Sequence, residues 1–149
     1  MAAIRWKLLG TMLGLMCAAD VVHAQVGVGT WVRQNPDPTM GSMTMTVETC
    51  CSGGRKLTYR FTVNGTSHVL TVESPFDGTE VPVLLDGKPS GETMAISLVD
   101  SHHTSTNLKM NGQPFGVSKA TLSADGKTLT VVNEMKAASG PQTEIWKKQ

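Results

Sequence analysis

The chain has 149 residues, with 13 basic and 12 acidic side chains, 15 glycines and only 5% aromatic residues. No basic stripe runs through it, which argues against nucleic acid as a partner. Glycine, threonine, serine and valine outweigh scattered helix formers, a composition that favours strands and turns.

The first 24 residues read as a secretory signal peptide. "MAAIRWK" carries Arg5 and Lys7, an apolar run of 12 residues follows, and Val22 and Ala24 occupy the small positions of a cleavage site before Gln25. The run is too short for a membrane span of roughly 20 residues, and no later stretch approaches that length. Residues 25–149 leave one domain of 149 − 24 = 125 residues; removing Arg5, Lys7 and Asp20 balances it at 11 basic and 11 acidic side chains. The expected location is the periplasm or the exterior of the cell.

Along the mature chain, "GTWVRQ" (29–34) and "SMTMTVET" (42–49) alternate as strands, with Met43, Met45 and Val47 on one face. Next comes "LTYRFTVNGTSHVLTV", with Asn64-Gly65 at its centre. Asn-Gly suits a type I′ turn because both central residues need positive φ. A two-residue loop sets 63 against 66, 61 against 68, 59 against 70 and 57 against 72. One face then carries Leu57, Tyr59, Phe61 and Val63 opposite Thr66, His68, Leu70 and Val72. Turn chemistry and apolar pattern agree, whereas a one-residue slip would set apolar against polar.

"EVPVLL" (80–85) holds Pro82, which predicts an edge or a bend. "ETMAISLV" (92–99) puts Met94, Ile96 and Leu98 on one face. Asn111-Gly112 predicts a hairpin pairing Leu108 with Phe115 and Thr106 with Val117, with Met110 also inward. Asp125-Gly126 pairs Leu122 with Leu129 and Ala120 with Val131. Residues 133–141 have room for one helical turn, and "QTEIWKK" (142–148) is a last strand. About ten short strands with near-neighbour connections predict an all-β, antiparallel up-and-down barrel of about eight to ten strands, with a sandwich as the alternative. Trp31 and Trp146 suit pairing of the first strand with the last.

Several motifs together resemble a known family. Gly29-Thr30-Trp31, Asn35-Pro36, Gly53-Gly54, Asp125-Gly126-Lys127-Thr128 and Ile145-Trp146 resemble the signature stretches of small secreted bacterial proteins with a lipocalin-like β-barrel. Gly29-x-Trp31 is also similar to the G-x-W of true lipocalins, whose T-D-x-x-Y motif and tryptophan-capping arginine are not evident here. The resemblance implies the barrel; the family has no assigned biochemical role.

Chemistry is sparse. G-x-S-x-G, H-E-x-x-H and phosphate-loop patterns are missing, and Asp100-Ser101-His102 are too close in sequence to converge as a triad, so no catalytic residue and no cofactor is expected. His102-His103 lack the spacing of a dedicated metal site. Cys50 and Cys51 point to opposite faces if they lie on a strand; free thiols, a vicinal disulfide on a turn supplied by "SGG", an intermolecular bridge and redox or metal chemistry are each compatible with the sequence. A vicinal bond closes almost no loop and would constrain the unfolded chain little. The expected ligand-facing set is Met43, Met45, Tyr59, Phe61, His68, Leu70, Met94 and Met110, which forms either a soft core or a pocket for a small apolar molecule. The expectation is a non-enzymatic exported binder of such a molecule, with an interaction module for another envelope protein, its barrel filled, as the alternative.

Overall fold

A computed structural model describes residues 26–149, and the expected leader lies outside them. Ten strands follow in chain order: β1 (Gly29–Arg33), β2 (Thr44–Cys50), β3 (Gly54–Val63), β4 (Thr66–Ser74), β5 (Asp77–Leu85), β6 (Lys88–Leu98), β7 (His103–Met110), β8 (Gln113–Leu122), β9 (Thr128–Met135) and β10 (Gln142–Lys148). Each pairs antiparallel with its sequence neighbours, and β1 pairs with β10 to close the barrel. The barrel predicted from the strand pattern is therefore the fold, and the sandwich is excluded. Closure places Trp31 opposite Lys148 and Arg33 opposite Trp146.

The hairpin across Asn64-Gly65 has the predicted register throughout: Leu57 faces Val72, Tyr59 faces Leu70 and Phe61 faces His68. Asn64 and Gly65 both take positive φ, 49° and 79°, as a type I′ turn requires. Leu122 faces Leu129 and Ala120 faces Val131, also as expected. The hairpin across Asn111-Gly112 differs. Met110 pairs with Gln113 and Lys109 with Pro114, but Leu108 then faces Gly116 and Thr106 faces Ser118. Phe115 is an extra, unpaired residue, so the predicted pairs Leu108–Phe115 and Thr106–Val117 do not form. Pro114 has no N–H to continue the ladder, and a bulge absorbs the interruption. Beyond it, Gly116 lies so close to the Met135 sulfur that a Cβ there would collide with it. Pro82 likewise precedes a register shift between Pro82 and Leu84, a bend rather than an edge. Residues 133–135 extend β9 and no helical turn forms.

Strand alternation puts Trp31, Val47, Val72 and Val83 fully inside, while threonines, lysines and glutamates cover the outside. The turns alternate between the two ends. Val26, Trp31 and Phe76 close the end that carries the turns after β2, β4, β6 and β8. There Trp31 Nε1 donates to the Gly27 carbonyl at 3.1 Å, and the Lys148 ammonium lies 5.9 Å from the Trp31 ring centroid. Cys50 and Cys51 are joined by a disulfide at the same end, on a short 3-10 turn over Cys51–Gly53. Three successive residues of that turn take positive φ (Cys51, Ser52 and Gly53), which supplies the reversal that lets adjacent cysteines meet. Gly54 then passes directly against Ser74 and Pro75 of the next hairpin. The seam between β4 and β5 is short, with only Leu70–Leu85 and Thr71–Leu84 in register.

Gly54 has no room for a side chain. A Cβ at residue 54 would strike the Ser74 carbonyl oxygen and lie 2.9 Å from Pro75 Cα. Both are backbone atoms that cannot swing aside, so Gly54→Ala is expected to cost about 1–3 kcal/mol, read as a lowered urea midpoint. The hydrogen-bonded carboxyls set the response of the fold to acid. Asp37, Asp77 and Asp125 accept hydrogen bonds first from the side chains of Thr39, Thr79 and Ser123, Asp86 from His68, and Asp100 from the His102 backbone, and each carboxyl is held below its ordinary 3.8. A carboxyl whose folded value is depressed stabilises the fold while ionised, and that contribution disappears as pH falls through the folded value. Tm is therefore expected to be level near neutrality and to fall as pH drops below about 4, measured by circular dichroism.

Candidate functional site

The barrel encloses a cavity of about 320 Å³, within the range that small-molecule sites occupy. Val26 and Phe76 lie at its closed end, and Leu57, Ile96, Leu129 and Trp146 form the apolar wall above them. Met40, Met43, Phe61, Phe115 and Met135 surround it toward the opposite end. Met40 arrives from the loop between β1 and β2. That loop is pinned by an Asp37–Thr39 turn, where the Thr39 N–H donates to Asp37 Oδ1 at 2.8 Å, and by the Gly41 N–H, which donates to the Thr62 carbonyl at 2.9 Å.

Of the residues singled out from sequence, Met43, Met45, Tyr59, Phe61, Leu70 and Met94 line this cavity together. Two do not. His68 faces Phe61 as expected, with ring centroids 5.8 Å apart, but it sits at the rim. Its Nδ1 lies 2.8 Å from Asp86 Oδ2, and the carboxylate of the next turn draws the imidazole out of the interior. Met110 ends its strand, is 39% exposed and lies over Gly91; one residue from a two-residue turn, its side chain passes the edge of the barrel. Cys50 and Cys51 lie outside the cavity.

The interior also holds polar groups that the apolar pattern did not flag. Glu144 accepts from Trp146 Nε1 and from Asn133 Nδ2, both at 3.1 Å, and lies 3.7 Å from an Arg33 guanidinium nitrogen. Ser118 donates to Asn133 Oδ1. Tyr59 meets Trp146 edge-on, with centroids 6.0 Å apart and planes at 69°. Glu92 lines the cavity without a side-chain partner among the described residues, and burial raises its carboxyl above the ordinary 4.5. Both glutamates had a sequence signal. Glu92 shares the period of Met94 and Ile96, and Glu144 shares that of Trp146, so strict alternation points both inward. Phe115, by contrast, borders the cavity through the bulge, and Met40 and Phe76 through loops, where no period applies.

Comparison with known proteins adds the fold. No protein-family model and no curated protein matches this sequence. Among solved structures, a point mutant of the fluorescent protein UnaG is similar, with a TM-score of 0.59 and 12% identity over 83% of this chain and 96% of that one. The two share a barrel architecture.

Tyr59 offers a direct probe of this interior. It is the chain's single tyrosine. It is partly buried, borders the cavity and packs edge-on against Trp146; loss of solvation, then the charges of Glu144 and Glu92, push its hydroxyl well above the ordinary value of 10.0. The folded protein is expected to show no tyrosinate absorbance at pH about 10–11, where a free phenol is largely ionised, and to gain it on denaturation at the same pH. A normal titration in the folded state would place Tyr59 in water.

Proposed function

We propose that this protein is a non-enzymatic, exported carrier or sensor that holds a small, largely apolar molecule inside its barrel. The observation that carries the reading is the cavity itself. A barrel serving only as a scaffold for an outer binding face would be expected to fill its interior, because uncovered apolar lining forfeits packing. Here some 320 Å³ is lined by methionines and aromatic rings, side chains that adapt to varied apolar shapes. The few polar groups at Glu92, Asn133 and Glu144 would orient a bound molecule. The basic start, short apolar run and small-residue exit of the first 24 residues support export, and the Gly29-Thr30-Trp31 and Asp125-Gly126-Lys127-Thr128 stretches support kinship with the small secreted bacterial barrels.

Native mass spectrometry on protein purified without denaturation tests the reading. An intact mass above that of the chain, collapsing to the chain mass on unfolding, is the expected result. Leu70→Trp should place an indole in the cavity. Its misfit of about 1–3 kcal/mol is expected to weaken binding of a solvatochromic dye about tenfold or more, with the fold intact by circular dichroism. Dye affinity unchanged by that substitution would mean that the dye binds elsewhere.

A further inference from the structure

The charge inventory of the cavity is one-sided. Among the described residues, two carboxyl groups line it, Glu92 and Glu144, and no lysine, arginine or histidine does. Glu144 is compensated: Trp146, Asn133 and Arg33 surround it. Glu92 is not. Its backbone N–H donates to Ser90 Oγ at 3.1 Å, but its carboxyl has neither a hydrogen bond nor an ion pair among the described residues. Its cross-strand partner is the apolar Met110. The nearby lysines do not reach it: Lys109 of β7 is engaged with Glu80 at 2.6 Å on the outer surface, and Lys88, at the start of Glu92's own strand, is exposed beside the Asp86-Gly87 turn. The cavity thus carries one half-buried acid, near its rim, that has no protein partner among the described residues.

Glu92 is half-buried, and a carboxylate that loses its remaining water when a ligand fills the cavity is costly unless a cation or strong donor meets it. An anionic amphiphile would bring like charge against it, whereas a protonated amine would satisfy it. We propose that the ligand of this barrel is an amine-bearing amphiphile, with its charged nitrogen at Glu92 and its apolar body among Met43, Phe61, Met94 and Phe115. This rests on the binding reading above and specifies its chemistry.

The test uses three probes of equal chain length, decylamine, decanol and decanoate, titrated calorimetrically into the folded protein at neutral pH. The amine is expected to bind about tenfold or more tightly than the alcohol, with the carboxylate weakest. Glu92→Gln should bring the amine to within about threefold of the alcohol, since an uncharged amide no longer selects for a cation. Glu80→Gln, at the exposed Lys109 pair, should leave the amine preference unchanged. Equal affinity for amine and alcohol, or tightest binding of decanoate, would overturn the charge assignment and leave the carrier reading standing. A preference that survives in Glu92→Gln would overturn the role of Glu92. If none of the three binds protein of native circular dichroism, the carrier reading fails and the proposal with it. Should Glu92→Gln not fold, the order of the three probes on the unmodified protein still decides the charge assignment.

Discussion

The pairing of β1 with β10 is the constraint on which the rest of the molecule depends. It leaves no open edge to template aggregation, and it turns strand alternation into an inside and an outside. It brings Arg33 opposite Trp146, residues more than a hundred positions apart, and so assembles the cluster around Glu144. The asparagine at 35 reinforces the seam: its side chain donates to the Thr143 carbonyl at 2.7 Å and accepts from the Ile145 N–H at 2.9 Å. A short first strand is thereby tied to the last by side-chain as well as backbone bonds.

The two ends of the barrel are built differently. The closed end stacks Val26, Trp31 and Phe76 behind tight turns, including the linked Cys50–Cys51 pair. The opposite end keeps a longer connection between β1 and β2 and brings methionines toward the cavity. Closing one end with rigid rings and bordering the other with adaptable side chains yields a one-sided cup. Under the proposed carrier reading, such a cup would let a guest enter and leave without opening the sheet. The short β4–β5 register, bounded by the bend at Pro82, is the thinnest part of its wall.

The bulge at Phe115 shows how local and global patterns are reconciled. On one strand, the Asn111-Gly112 turn argues for Phe115 and Val117 facing inward, while the Asp125-Gly126 turn argues for Ala120 and Leu122. These positions differ in parity, and a regular strand cannot satisfy both. One inserted residue resolves the conflict: Phe115 borders the cavity and Ala120 and Leu122 face the core, while Val117 moves to the outer face opposite Asn107. The two turns impose this conflict on one strand, and Pro114, which has no N–H to give the ladder, stands beside the residue that resolves it.

By itself the sequence determined the fold class, most of the strand boundaries and two complete hairpin registers, because those depend on short-range physics: positive φ at Asn-Gly, and a two-residue period that a slip would invert. It also determined the inward face of Met43, Met45, Tyr59, Phe61, Leu70 and Met94 through that same period. Only the tertiary structure decided what that face encloses. Whether inward side chains meet or leave a cavity depends on strand number, tilt and closure, which no local pattern encodes. His68 left the interior because Asp86 of another turn lay within reach, and Met110 because its strand ends at the rim. Glu92 and Glu144 sat on the right period all along. What separates them, one compensated by Arg33, Asn133 and Trp146 and the other half-buried without a partner, is a matter of neighbours that only the closed barrel brings together.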